Sequence, residues 1–202
     1  DAWVVSPPVD TDYYKPDPEV AREDFFLLAG RLVPYKRPDI AIEAARRANV
    51  RLVVVGEGRA RSQVEQLAGP RTEFLGRVDD DTLRDLFRRC RALLFPGEED
   101  FGIIPVEAEA CGTPVIAPAL GGVLDTVIPG RTGVLYDRHA DQVGTLAAAL
   151  RDFDDTKFDR AAVRAHAEQF APVCFRERFE RAVTDILAGA VPPPYPRTES
   201  PV

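Results

Sequence analysis

The apolar positions of this chain fall into two recurring kinds of segment. The first is a short, uninterrupted run. Phe25-Phe26-Leu27-Leu28-Ala29 is closed by Gly30, Leu52-Val53-Val54-Val55 by Gly56, and Glu73-Phe74-Leu75 by Gly76. Ala92-Leu93-Leu94-Phe95 is closed by Pro96-Gly97, Val115-Ile116-Ala117 by Pro118, and Val134-Leu135-Tyr136 by Asp137. Runs of this length without polar alternation predict strands covered on both faces, and therefore a parallel sheet.

The second kind has helical spacing. Pro38 can open a helix whose one face carries Ile40, Ala44, Ala45 and Ala48. Asp79-Asp80-Asp81 precedes Leu83, Leu86, Phe87 and Cys90, spaced i, i+3, i+4 and i+7. Ile104 to Ala110 stops at Gly112 and Pro114, and Phe175, Phe179, Val183, Ile186 and Leu187 form a last apolar stripe. Strand and helix alternating in this way predict an α/β domain with a doubly wound parallel sheet and helices on both faces. Ligands of such sheets bind beyond the carboxyl ends of the strands, where the closing glycines lie.

The ends differ from this middle. Ser6-Pro7-Pro8-Val9-Asp10 and Lys15-Pro16-Asp17-Pro18 predict a stiff, extended segment over residues 1–18, with Trp3-Val4-Val5 as a short strand within it. Residues 19–189 form the domain, and the Pro-rich 190–202 reads as a disordered tail. The chain begins with Asp1 and has no Met, which suggests a processed chain or a fragment.

Charge and composition narrow the function. Lys plus Arg number 26 against 33 Asp plus Glu, a formal net charge of −7, which argues against a general nucleic-acid binder. Cys90, Cys111 and Cys174 are three and widely spaced, so neither a zinc knuckle nor a disulfide framework is readable and a reducing, cytoplasmic home is expected. No apolar run approaches the ~20 residues of a membrane span, and no signal peptide is recognisable.

Three loops carry candidate chemistry. Gly30-Arg31-Leu32-Val33-Pro34-Tyr35-Lys36-Arg37-Pro38 places cations between a strand and a helix start, which suits a phosphate or diphosphate as well as it suits solvated loop charges. Glu99-Asp100-Phe101-Gly102-Ile103-Ile104-Pro105-Val106-Glu107 puts one carboxylate on a loop and another about one turn into a helix. Glu109 is expected to be an ordinary surface carboxylate, and Gly121-Gly122 a simple turn. Other motifs fail. Gly56-Glu57-Gly58-Arg59-Ala60-Arg61 has Arg where a dinucleotide fingerprint needs its third Gly. Asp79-Asp80-Asp81 reads as a helix start rather than a metal ligand set, and His139 and His166 are lone histidines.

Together the motifs resemble one family. Gly-Arg-Leu-Val-Pro-Tyr-Lys-Arg-Pro-Asp at 30–39, Val-Val-Gly-Glu-Gly at 54–58, Phe-Leu-Gly-Arg-Val at 74–78, the Glu-x7-Glu stretch 99–107 leading into Ala-Cys-Gly-Thr-Pro-Val-Ile-Ala at 110–117, Gly-Gly at 121–122 and Gly-Arg-Thr-Gly at 130–133 stand in order. They resemble the C-terminal, donor-binding half of a retaining GT-B glycosyltransferase of family 4, a Rossmann-like domain, over roughly residues 1–188.

The resemblance implies roles. Arg31 and Lys36 match the pair that grips the diphosphate of a nucleotide sugar. Glu99 matches the carboxylate at the sugar hydroxyls, and Glu107 the ribose-binding glutamate. The backbones of Gly30, Phe101, Gly102 and Ile103 match groups lining sugar and phosphate, and Arg77 and Val78 the strand end beside the base. Asp125 stands where Glu is commoner and Arg131 where Asn is common. The run Gly97-Glu98-Glu99-Asp100-Phe101-Gly102 looks most like bacterial mannosyltransferases of surface-polysaccharide assembly, which implies GDP-mannose as donor. No metal or other cofactor is implied. The partners implied are the nucleotide sugar and an N-terminal acceptor domain that this sequence does not contain, through which any contact with the inner face of the membrane would run. A nucleotide-sugar epimerase of the same plan and a non-catalytic binding module remain alternatives.

Overall fold

A computed structural model of the chain describes residues 2–137 and 141–193. Six strands form one parallel sheet: β1 (Phe26–Ala29), β2 (Leu52–Val55), β3 (Thr72–Gly76), β4 (Leu93–Leu94), β5 (Val115–Pro118) and β6 (Gly133–Tyr136). Their order is β3-β2-β1-β4-β5-β6, the doubly wound arrangement expected from the alternation. Each of the six strands predicted from the closed apolar runs is present at its predicted place.

The run in β1 shows why alternation is missing. Leu27 and Ala29 enter one core with Val53, Val55, Phe87, Leu93 and Val106, while Phe26 and Leu28 enter a second core with Ile40, Ala44, Val54, Ile116 and Leu146. Successive strand residues point to opposite faces, so a strand covered on both sides must be apolar at every position. Leu27 is fully buried, and burial of such a side chain contributes about 1.5–3 kcal/mol. The edge strand β3 departs from this pattern: Leu75 is exposed and the strand alternates in burial.

Helices cover both faces. α1 (Pro38–Ala48), α2 (Arg61–Leu67) and α6 (Gln142–Asp152) line the second core, α3 (Asp80–Arg89) and α4 (Ile103–Ala110) the first, and α7 (Arg160–Ala167) gives Ala167 to the first and Val163 to the second. The short α5 (Val123–Thr126) follows Gly122, and α8 (Pro172–Leu187) ends the described chain. Asp79 caps α3 by accepting from Thr82 N at 2.8 Å, as its place before the apolar stripe predicts. His166 bonds the Thr126 carbonyl through Nε2 at 2.8 Å. His139 and the tail beyond Pro193 lie outside the described residues.

Three expectations are corrected. Trp3-Val4-Val5 forms no strand, because the segment joins no ladder of the sheet. The following linker is instead pinned by other means: Val9 N donates to Phe170 O, Arg88 Nε to Lys15 O, and Arg164 Nη1 to the carbonyls of Thr11 and Tyr14. Glu109 is wholly buried rather than on the surface, because it faces inward from α4 with Ala108 and Ala110. The stripe of α8 does not enter the core: Phe179, Val183, Ile186 and Leu187 are all exposed, and of this helix only Ala182 is buried.

Phe179→Ser is accordingly expected to change stability within about 0.5 kcal/mol, as exposed positions do. It should also reduce self-association of the chain at high concentration. Denaturant titration and light scattering check both; a loss of several kcal/mol would place Phe179 in the core after all.

Candidate functional site

The strand order reverses between β1 and β4, and the loops leaving their carboxyl ends face each other there. After β1 the chain turns at Gly30, makes a 3-10 turn over Pro34–Lys36, and passes left-handed through Arg37 into α1. After β4 it runs through Pro96-Gly97 and Glu98-Glu99-Asp100 to Gly102, which precedes α4 with φ +85°. That conformation is routine only for glycine, so Gly102 sets the angle at which α4 enters the site.

Lys36 and Glu99 meet across the gap as a half-buried ion pair, their side chains 19% and 24% exposed. Pro7, Tyr35, Lys36, Glu99, Gly102 and Ile103 are among the residues lining a cleft of about 590 Å³ beside this pair. Arg31 is exposed at the same loop. Phe101 also borders the cleft, and its ring makes an edge-on contact with Phe170, centroids 5.4 Å apart. Ile103 opens α4 with its side chain exposed. No acidic residue lies in the first turn of α4 to offset the positive end of its dipole, which therefore favours an anion.

Gly121-Gly122 is more than a turn. Gly122 N donates to Glu99 O at 2.8 Å, and a Cβ on Gly122 would fall 2.3 Å from Phe101 Cα. Only glycine lets this segment buttress the loop that presents Glu99. A lone Gly-Gly pair in the sequence contains no sign of that contact.

Glu107 and the end of β3 lie apart from this cleft. Glu107 is half-buried on α4 and feels the charge of Asp80, two residues after Val78. Burial first, and then Asp80, push the Glu107 carboxyl up to about 7, while the nearby Tyr14 opposes them. Arg77 is exposed at the end of β3, and Val78 packs against the core. Neither residue borders the Lys36–Glu99 cleft. The structure thus gathers Gly30, Arg31, Lys36, Glu99, Phe101, Gly102 and Ile103 around one gap, whereas Arg77, Val78 and Glu107 line no part of it. Tyr14, supplied by the linker, escaped the motif reading because its proximity to Glu107 spans the chain.

Comparison with known proteins bears on what such a site serves. Residues 11–169 match the Glycosyl transferases group 1 family. The chain is 36% identical over 200 residues to a D-inositol 3-phosphate glycosyltransferase of Gordonia bronchialis, covering 83% of this chain and 43% of that protein. It is 31% identical over 213 residues to the protein of the same name from Jonesia denitrificans, covering 93% and 48%. The chain thus spans less than half the length of these curated relatives. The solved structure of Anabaena Alr3699/HepE with UDP and glucose superposes with a TM-score of 0.75 at 25% identity, covering 90% of this chain and 56% of that one. A glycosyltransferase of Rickettsia africae superposes with the same score at 18% identity over 93% of this chain and 57% of that one, which speaks for the fold alone. With the doubly wound sheet and the Glu-x7-Glu helix in place, these likenesses show that the chain belongs to the group 1 glycosyl transferases, as a domain of GT-B type.

Proposed function

We propose that this domain binds the nucleotide-sugar donor of a retaining glycosyltransferase and stabilises its diphosphate as the sugar leaves. The observation that carries the reading is the half-buried Lys36–Glu99 pair facing the uncompensated N-terminus of α4 at the sheet's reversal point. The group 1 family and the UDP held by HepE support it.

The chemistry follows from charge. The bond between the anomeric carbon and the diphosphate oxygen breaks, the diphosphate gains negative charge, and the acceptor hydroxyl bonds to the same carbon and yields its proton to the departing diphosphate. Lys36, Arg31 and the N–H groups at the start of α4 are donors aimed at that growing charge, so they bind the transition state more tightly than the ground state. The chain supplies these cations itself, and the proposal requires no metal. In the ligand-free site Glu99 holds Lys36 in place, and on donor binding its carboxylate turns to the sugar hydroxyls. Glu107 accepts from the ribose hydroxyls, and Arg77 and Val78 border the base. Acceptor recognition belongs to a further domain, and this chain alone is expected to transfer nothing.

HepE favours a uridine diphosphate hexose as donor. The run Gly97–Gly102 favours GDP-mannose through its likeness to mannosyltransferases. A thermal-shift panel of UDP-, GDP- and ADP-sugars decides between them, with NAD as the control for a dinucleotide enzyme. No shift with any nucleotide sugar would remove the reading. An epimerase would convert a bound donor without an acceptor, and a binding module would leave it unchanged even when the acceptor half is supplied.

Glu107→Ala is expected to weaken nucleotide binding by about 1.5–3 kcal/mol, the scale of a hydrogen bond to a charged group. Calorimetry on the folded variant checks this, and unchanged affinity would take the ribose away from Glu107.

A further inference from the structure

His166 belongs to no motif of the donor site, yet two routes lead from it to the loop that carries Glu99. The first runs through α5. His166 Nε2 lies 2.8 Å from Thr126 O, at the carboxyl end of that one-turn helix. A carbonyl only accepts, so Nε2 carries a proton and donates. At the other end of α5, Gly122 N donates to Glu99 O at 2.8 Å, and Thr126 Oγ1 donates back to Gly122 O at 3.3 Å. The second route is aromatic. The His166 ring stands edge-on to Phe170 at a centroid distance of 6.0 Å, and Phe170 stands edge-on to Phe101 at 5.4 Å. The two routes converge, because Gly122 packs so closely that a Cβ on it would fall 2.3 Å from Phe101 Cα.

We infer that His166 is a positioning residue for the sugar end of the donor: it holds α5 and Phe170 against the loop that presents Glu99, and so fixes the carboxylate offered to the sugar hydroxyls. This rests on the reading of Glu99 as the group that contacts the sugar. His166 itself lines no part of the cleft. The brace holds the main chain of Glu99, and Lys36 holds its carboxylate.

The ring is held in the one form that suits this task. Gln169 Nε2 lies 3.0 Å from His166 Nδ1 and donates to His166 O at 3.1 Å, so one amide serves both acceptors with its two hydrogens. That arrangement requires a neutral ring with its proton on Nε2, the tautomer that the Thr126 carbonyl also requires. Burial lowers the affinity of the ring for a second proton most, the Thr126 carbonyl opposes this, and the Arg131 charge adds to it. The ring is therefore neutral at neutral pH. Thr126 is fully buried and Phe170 is 5% exposed, so water does not replace these contacts when the ring is removed.

The test is calorimetry of UDP against UDP-glucose, and of GDP against GDP-mannose, on the 202-residue chain at neutral pH. The quantity read is the affinity for the sugar nucleotide relative to that for the bare nucleotide. His166→Leu should lower this ratio about 2- to 10-fold, the worth of one net hydrogen bond, and leave bare-nucleotide affinity unchanged. His166→Gln, whose amide nitrogen reaches the place of Nε2, should keep the ratio. His166→Asn, whose amide reaches only the place of Nδ1, should lose it. Glu99→Ala should lower the ratio too, and adding His166→Leu to it should have no further effect, because His166 acts through Glu99. An unchanged ratio in His166→Leu, an equal loss for the bare nucleotide, or a loss additive with that of Glu99→Ala would overturn the positioning role. Should His166→Leu fail to fold, equal ratios in the Gln and Asn variants overturn it as well. A ratio that Glu99→Ala leaves intact would remove the sugar reading of Glu99 on which the inference rests. Absence of any nucleotide binding by the wild type would instead overturn the donor-site reading itself.

Discussion

Lys36→Ala, made in a two-domain enzyme that carries this domain, is expected to slow sugar transfer by about 10²–10³-fold, the cost of losing one preorganised donor to a developing negative charge. Donor affinity should change less than turnover, because the diphosphate is more negative in the transition state than in the bound donor. Arg31→Ala should cost less than Lys36→Ala. Arg31 is exposed, whereas Lys36 is half-buried and already fixed by Glu99. A chelator should leave the wild-type rate almost unchanged. Turnover and donor affinity measured with and without EDTA check all of this. A rate that depends on added divalent metal, or normal turnover in both variants, would mean that another group neutralises the leaving diphosphate.

Glu109→Met is expected to stabilise the isolated domain at pH 8 by about 1–3 kcal/mol, the penalty of a buried polar group left without a partner. For a chain of this size that is roughly 2–4 °C in melting temperature per kcal/mol. Glu109 has no exposed surface, and neither carboxyl oxygen makes a hydrogen bond. Burial holds its carboxyl well above the ordinary range, and the neighbouring Thr132 hydroxyl offsets only part of this. The native state therefore keeps a proton that the unfolded state releases above the usual glutamate value, so stability is greatest in acid and declines as pH rises. Glu107 adds to the same slope up to about pH 7. In Glu109→Met the decline should become shallower, and the gain over wild type should be larger at pH 8 than at pH 5. Denaturant melts at the two pH values check this; an unchanged slope would show that Glu109 is already charged in the fold.

The two glutamates show what can and cannot be read along a chain. Glu107 and Glu109 are two positions apart in one motif, and helical spacing alone says only that they face different ways. Which way is outward depends on what packs against α4. Here α7, α3, α5 and β5 pack against that helix, and Glu109 is buried. The same limit explains α8, whose stripe has the right period for burial and yet stays exposed over Phe179, Val183, Ile186 and Leu187. Amphipathic spacing records that a face needs a partner; it does not say whether the described residues supply one.

The six strands, their parallel pairing, the start of α3 at Asp79 and the loops that carry Lys36 and Glu99 were all legible in the amino-acid order. Each depends on local causes: uninterrupted apolar runs, closing glycines and a capping carboxylate a few residues from what it determines. The Lys36–Glu99 pair, the buttress of Gly122 against Phe101, the proximity of Tyr14 to Glu107 and the burial of Glu109 came only with the folded chain. They join residues 63, 21, 93 and, for Glu109 and Thr132, 23 positions apart. Contacts over such distances follow from how strands are ordered and helices stacked, and that geometry is a property of the whole packed core rather than of any stretch of sequence.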